Sequence, residues 1–445
     1  MSFKPHQMRA IYFSLTLSLF FLFSCKNSET TNRQVFNTQD LNHANLALLE
    51  AVMDDAFTPP VATRIYAYSH IAHYVTLQSF YPDSLVDISN KLNDLSALPK
   101  PSKENVNAEL AALLAFSKTA KKLIFSEHLI DSLTQNIKDK AKENKLSETT
   151  IQASESYAAT IAGHLSNWID KDMYIETRTY DRFTSTKKPE NWRETPPDYE
   201  TALEPYWDKL RTLVIDSPSV YIPAPLPKYD TAKESDFYKM VLEVYDESKN
   251  TTEEKQKIAW FWDCNPILTI HKGHMIQTIH KFAPAGHWMH IIDQITEKEN
   301  TNYFKAAKAY TFTSIAMFDA VIAAWHIKYK TDLVRPVTYI QEYFDPHWLP
   351  VLQTPPFPEY TSGHSATSAS AAGVLTAIFG ENYFFEDNTQ LRFDLESRSF
   401  NSFKEAARQV DFSRFYGGIH YMQGVNEGSK QGYFVANIVL EKLNK

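Results

Sequence analysis

The stretch "PPFPEYTSGHSATSASAAG", residues 355–373, decides how this chain is read. A proline-rich run, which cannot be helical, breaks at Ser362-Gly363-His364 and passes into a string of small residues. Ser362 is a natural helix N-cap, because its hydroxyl can accept a hydrogen bond from an early backbone N–H. The spacing predicts a helix over 364–379 that stops at Gly380. Two readings of the break are open. In the mechanical one, Ser362 only starts a helix. In the chemical one, the N–H groups at the new helix end hold an oxyanion, and His364 passes protons beside it.

The chain around it is long and helix-prone. It has 445 residues, enough for one large domain or two medium ones. With 43% hydrophobic and 22% charged residues it reads as globular. The net charge is −8 with both signs mixed along the chain, so no basic stripe for nucleic acid is present. There are only 11 glycines, against an expectation of roughly 7% of residues. Five of them, Gly417, Gly418, Gly424, Gly428 and Gly432, crowd into one short stretch. Such a cluster points to backbone that turns sharply or approaches something closely, or simply to tight turns plus helix packing.

The N-terminus reads as a leader. "MSFKPHQMR" is basic, and "IYFSLTLSLFFLF" is an apolar run too short for a comfortable transmembrane span. Residues 1–24 are thus expected to be a signal peptide. Leu22-Phe23-Ser24-Cys25 resembles a bacterial lipobox, which implies a lipid on Cys25 that anchors the mature protein to a membrane surface in the cell envelope, on the outer-membrane or periplasmic face. Ordinary secretion with cleavage nearby is the alternative. The other cysteine is Cys264, so acylation of Cys25 leaves no intramolecular disulfide.

Residues 26–40 are polar and read as a tether, with helix starting near 41. "NAELAALLAFSKTAKKLIF" brings Leu110, Leu113, Leu114 and Ile124 near one face, and Ser147-Glu148-Thr149 opens another helix. Residues 189–227 hold eight prolines and read as a long connection over the surface. That connection could mark a boundary between an N-terminal helical region, 41–235, and a second region, 236–445; one helical domain with a long excursion fits equally. Further helices are expected at "TEEKQKIAWFWD", at "TNYFKAAKAYTFTSIAMFDAVIAAWHIKY" and after "YGGIH". Pro336 keeps Arg335 on extended chain just beyond the second of these. No alternating strand pattern stands out, so the fold class is an all-α helical bundle.

Three segments carry candidate chemistry: "KYKTDLVRP", "YTSGH" and "SRFYGGIH". Lys328, Arg335 and Arg414 supply permanent positive charge, the arginines as planar forks suited to the oxygens of a tetrahedral anion. Ser362 can donate to an oxygen, and the Gly363 N–H can come close where no side chain intervenes. His364 and His420 remain: one could bond to the central atom, the other could exchange protons near neutral pH.

Each segment alone is weak; their order and spacing are not. Lys-x6-Arg-Pro, then Ser-Gly-His, then Ser-Arg-x5-His resembles the signature of the type 2 phosphatidic acid phosphatase and vanadium haloperoxidase superfamily. "DAVIAAWHIKY", "PPFPEYTSGHS", "FWDC", "FAPAGHW" and "RFYGGIHY" resemble its vanadium haloperoxidase branch, over roughly 255–440. The resemblance implies that Lys328, Arg335, Ser362, Gly363 and Arg414 bind the oxygens of vanadate, or of phosphate in the same site. It implies His420 as the metal ligand (in a phosphatase, the phosphorus-attacking nucleophile) and His364 as the acid–base group. Bound vanadate would take up hydrogen peroxide, and halide would leave as hypohalous acid. The runner-up is an acid phosphatase that cleaves phosphate monoesters through a phosphohistidine. A third reading is a non-catalytic oxyanion-binding lipoprotein. Phe357, seven residues before His364, matches the chloroperoxidases and implies an apolar pocket edge. His287 and His290 are expected to be structural.

One position departs from the family. A His-x3-Asp continuation often follows the last motif, its Asp bonding the far nitrogen of the histidine. Here that fourth residue is Gly424. Glu427, two helical turns beyond His420, or a backbone carbonyl is the substitute the sequence offers.

Overall fold

A long helix that is apolar on every side has nowhere to sit but the middle, and α9 (Tyr303–Thr331) is such a helix, buried along nearly its whole length. The computed structural model describes residues 34–101, 104–272 and 274–444. Asn302 caps α9 by accepting from Phe304 N and Lys305 N, and Asp332, in the left-handed region, ends it with its N–H on Lys328 O. Against α9 pack α2 (Pro59–Gln78), which opens with prolines in its first turn, and α11 (Gly363–Phe379). α11 in turn packs along α13 (Met422–Leu443).

The α11–α13 contact explains much of the glycine cluster. A Cβ on Gly432 would lie 2.2 Å from Ala366 O, and one on Gly428 would lie 2.5 Å from Ser362 O. The two backbones therefore approach to a distance that no side chain at 428 or 432 allows. Gly418, at φ +75°, makes the turn after α12 (Phe403–Tyr416).

Around this centre lie amphipathic helices. α1 (Thr38–Asp54), α3 (Ala108–Leu123), α4 (Glu127–Glu143) and α5 (Glu148–Ile169) build one side. Leu110, Leu113, Leu114 and Ile124 are buried as expected, and Ser147 caps α5. α8 (Pro284–Lys298) packs on α1, whose Asn42 and Asn45 donate to Asp293 and Met289, whereas α6 (Asp236–Lys249), α7 (Glu253–Phe261) and α10 (Pro336–Tyr343) lie against later parts of the chain. Residues Phe36–Lys445 form one compact unit, so the 41–235 and 236–445 regions share a core.

Three expectations need correction. α1 begins at Thr38, with Asn37 closing a capping box and Phe36 fully buried, so the last residues of the 26–40 tether belong to the fold. Two antiparallel hairpins are present: β1 (Ile267–Lys272) with β2 (Met275–His280), and β3 (Phe385–Asp387) with β4 (Arg398–Phe400). Strands of three to six residues are too short to announce themselves by alternation. The Glu427 substitution also fails, as described below. The leader and Cys25 lie outside the described residues. Among the described residues no helix is long and apolar enough to cross a membrane.

The proline-rich excursion is pinned rather than loose. Asp319 on α9 accepts from the N–H groups of Leu213, Val214 and Ile215 at 2.7–2.9 Å. Trp192 N donates to Asp332 O (2.7 Å), and Val334 N donates to Glu190 O (2.9 Å). These bonds fix the extended segment that carries Arg335.

Candidate active site

The three sequence segments meet at the N-terminal end of α11. Ser362 caps that helix: its Oγ accepts from Ser365 N (3.3 Å) and from Ser365 Oγ (2.9 Å), which leaves the Ser362 proton uncommitted. The first N–H groups of α11, starting at Gly363, have no intrahelical partners. Gly363 itself is small for a packing reason, since a Cβ there would meet Trp325 Cζ3 at 2.9 Å and Lys328 Cε at 3.7 Å.

Lys328 comes from the last turn of α9 and is fully buried. Its Nζ donates to Pro358 O (2.9 Å) and Glu359 O (3.0 Å), two of the three bonds an ammonium can make. Arg335 follows on extended chain at φ −79°, ψ 152°, as Pro336 requires. Its Nε donates to Phe357 O (2.8 Å) and its Nη1 to Ile419 O (2.8 Å), and Nη1 also lies 3.1 Å from His420 Nε2. Its Nη2 is buried without a partner. Both cations sit over the Phe357 ring, 4.9 and 5.0 Å from its centroid. Phe357 also packs on Trp325 at 5.1 Å.

Arg414, on α12, donates from Nη2 to Trp262 O (2.8 Å) and from Nε to Ser413 Oγ (3.1 Å). Its Nη1 is 3.4 Å from His364 Nε2. His287 lies behind this wall, stacked on Trp262 at 4.5 Å and bonded to Asp387 (2.8 Å) and Cys264 (3.3 Å). His290 bonds Asp293 at 3.2 Å, so both histidines have the structural partners expected of them.

His420 is held at both nitrogens. Nδ1 donates to Glu359 Oε1 at 2.6 Å, which leaves the Nε2 lone pair beside Arg335. Sequence reasoning missed Glu359. Glu427, its expected substitute, instead accepts from Tyr221 Oη (3.0 Å), Ala224 N (2.9 Å) and Lys430 Nζ (2.6 Å), and so serves the proline-rich excursion. The signal for Glu359 was a carboxylate in an otherwise apolar lead-in, paired with a missing one at 424.

Burial sets the electrostatics. It pushes the Lys328 ammonium well below its ordinary value, with Arg335 adding to the effect, and lowers Arg335 to about 10. Burial also holds His420 well below the usual imidazole range, reinforced by Arg335 and Lys328. His364 is lowered by burial and then by Arg414, although part of its ring remains open to a cavity. Glu359 is raised to about 7 by burial, against the pull of Arg335 and Lys328. Lys328, Arg335 and Arg414 are thus three buried cations, none of them ion-paired to a carboxylate among the described residues. Such a cluster is costly unless an anion neutralises it.

The cavity that reaches His364 and Arg414 encloses about 80 Å³, room for a few water-sized molecules. Pro355, Pro356, Phe357, Leu203 and Ile419 make much of its wall apolar. The Phe357 pocket edge is apolar as the sequence implied.

A family model described as the second helical-bundle domain of VCPO matches residues 308–347 and 344–445. Among solved structures, the first bacterial vanadium-dependent iodoperoxidase is 40% identical, with a TM-score of 0.85 over 92% of this chain and 97% of that one. The chain belongs to the vanadium-dependent haloperoxidases. The holo and apo forms of a bacterial vanadium-dependent chloroperoxidase share the fold, each 16% identical with a TM-score of 0.63. They cover 87% of this chain and 93% and 94% of their own. No match is found among curated protein sequences. As a member of this family the protein takes vanadate as its cofactor. The residues present fit that group: Arg335 Nη2 is an orphaned buried donor, Lys328 has a donor to spare, and the buried charge calls for an oxyanion.

Proposed function

We propose that this haloperoxidase uses hydrogen peroxide to oxidise halide, with iodide as its preferred substrate, at a vanadate held by His420. The reaction balances as hydrogen peroxide, halide and a proton giving hypohalous acid and water. The observation that carries the site assignment is the cluster of three buried cations around the capped start of α11, with the His420 Nε2 lone pair among them. Support for iodide comes from the 40% identity to the iodoperoxidase over nearly the whole chain, against 16% to the chloroperoxidase.

When bound, vanadate supplies a Lewis-acidic centre that activates peroxide toward attack by halide. Lys328, Arg335, Arg414, the Ser362 hydroxyl and the Gly363 N–H would hold its oxygens. A ligand on His420 Nε2 and the Arg335 hydrogen bond to that nitrogen exclude one another, so Arg335 Nη1 would be free to bond the oxyanion instead. His364, its pKa lowered by burial and then by Arg414, would accept a proton from peroxide at Nε2 once the Arg414 Nη1 contact to that nitrogen has turned to the oxyanion. The cavity beside His364 and Arg414, with Pro355, Pro356, Phe357, Leu203 and Ile419 on its apolar wall, offers peroxide and halide an approach to the site.

The test is vanadate-loaded protein assayed for triiodide formation and for bromination of a phenol dye, with p-nitrophenyl phosphate hydrolysis run on the apo-protein. Iodide oxidation that requires vanadate, vanishes in His420→Ala and exceeds bromide oxidation in kcat/KM is expected. His364→Ala is expected to lower kcat by about 10²–10⁴-fold while vanadate binding changes far less. Ester hydrolysis without halide oxidation would make the protein a phosphatase instead.

The leader supports a lipid-anchored place in the cell envelope, through Cys25. Replacing Cys25 with Ser should release the protein from membranes on fractionation and remove the lipid mass from its N-terminal peptide.

A further inference from the structure

We propose that Glu359 is the positioning residue for His420, and that residue 424 is glycine in order to admit its carboxylate. The role that a family Asp takes from the far side of the histidine has moved to the segment ahead of α11. The inference rests on the reading of His420 as the vanadium ligand.

Glu359 is fully buried, and one of its oxygens serves two donors. Oε1 accepts from His420 Nδ1 (2.6 Å) and from Tyr421 N (3.0 Å), so the carboxylate clasps the turn that delivers the histidine. The Glu359 backbone is pinned as well: its N–H donates to Leu333 O (3.0 Å), and its carbonyl accepts from Lys328 Nζ (3.0 Å). One residue thus ties together Lys328, the approach to Arg335 and His420.

On the other side stands Gly424. A Cβ there would lie 2.3 Å from Glu359 Oε1 and 2.8 Å from Oε2. The backbone at 424 cannot retreat freely, because its carbonyl accepts from Ser362 N (2.9 Å) at the cap of α11. Nor can the carboxylate retreat without giving up both His420 Nδ1 and Tyr421 N. An Asp at 424 and the Glu at 359 therefore compete for one volume, and this chain has filled it from 359. A carboxylate on Nδ1 keeps the proton there, leaves Nε2 free as a ligand and strengthens its donation.

The test measures orthovanadate binding to apo-protein by titration, without peroxide, alongside ¹⁵N NMR of the histidine ring nitrogens. Glu359→Gln preserves volume, and Glu359→Ala removes the carboxylate outright. Both are expected to bind vanadate about 10–100-fold more weakly, with His420 losing its single Nδ1–H tautomer. Gly424→Asp alone should weaken binding, whereas Glu359→Ala combined with Gly424→Asp should bind more tightly than Glu359→Ala. Wild-type affinity and wild-type ring shifts in Glu359→Gln would overturn the positioning role. A double variant no tighter than Glu359→Ala would overturn the exchange between the two positions. The His420→Ala control separates the two levels: if it binds vanadate like wild type, the ligand assignment has failed. If it binds weakly while Glu359→Gln is unaffected, only the present inference has failed.

Discussion

Arg335 shows how much one side chain can be asked to do when it is buried. Its guanidinium closes the carbonyls of Phe357 and Ile419, touches His420 Nε2 and still presents a free Nη2. Lysine has three donors on a point charge and cannot span these directions. Arg335→Lys is expected to raise the vanadate dissociation constant at least about tenfold, since a bidentate oxyanion contact is lost. It should also destabilise the fold by about 1–3 kcal/mol, because at least one buried carbonyl loses its donor. Vanadate titration and denaturant unfolding of the apo-protein read the two effects separately. Equal affinity in the variant would mean that Arg335 serves only the carbonyls. Lys328 divides its donors in the same way, two to carbonyls and one to spare, so the site is partly built from groups that also hold its own loops.

At the scale of the helices, the site depends on how closely α11 and α13 lie. α11 carries Ser362 and Gly363 at its start, and its small residues accept the glycine face of α13. Gly432→Ala would drive a methyl to within 2.2 Å of Ala366 O, a backbone atom that cannot step aside cheaply. Overpacking of this kind costs about 1–3 kcal/mol, a fall in Tm of about 1–3 °C for a chain of this size. Vanadate affinity should fall with it, because the cap of α11 shifts. Gly163, exposed in the middle of α5 with nothing within 4 Å of a Cβ, is the contrasting case. Gly163→Ala should stabilise by up to about 1 kcal/mol through helix propensity. Thermal unfolding of the two variants tests whether the glycines are shaped by approach or by composition; equal Tm changes would rule out the approach argument.

For the molecule as a whole, buried histidines couple stability to pH. His70 and His73, on α2, are both fully buried, one stacked on Tyr310 at 4.8 Å and the other bonded to Tyr303 Oη at 2.8 Å. Burial lowers both, His73 to about 3. In the unfolded chain they titrate near about 6.5. Below that pH the unfolded state takes up protons that the folded state refuses. Their contribution is therefore fully present above pH ~6.5 and is lost as pH falls, by about 1.4 kcal/mol per pH unit per histidine. His73→Gln keeps an acceptor for Tyr303 and does not titrate. The slope of unfolding free energy against pH, measured by denaturant titration between pH 6 and 4, should shrink by about that amount. An unchanged slope would show that His73 is protonated in the fold.

Local pattern specifies the helical class, the cap at Ser362, the stop at Gly380 and the extended chain at Arg335, while the cations and histidines that meet at α11 were read from the order and spacing of three motifs. The first four were legible because each rests on local chemistry, such as a proline that forbids helix or a serine that caps one, and the site residues because their three motifs together resemble a family signature. What lies behind His420 is settled by packing. Glu359 and His420 are 61 residues apart, and their pairing depends on a volume left open by Gly424, on a third segment. Nothing local distinguishes Glu359 from Glu427, since both are carboxylates near a motif. Steric exclusion and backbone pinning choose between them, and those exist only once the helices are packed. The two short hairpins and the early start of α1 at Thr38 escaped for a related reason: a few residues carry too little pattern, and their neighbours in space supply the rest.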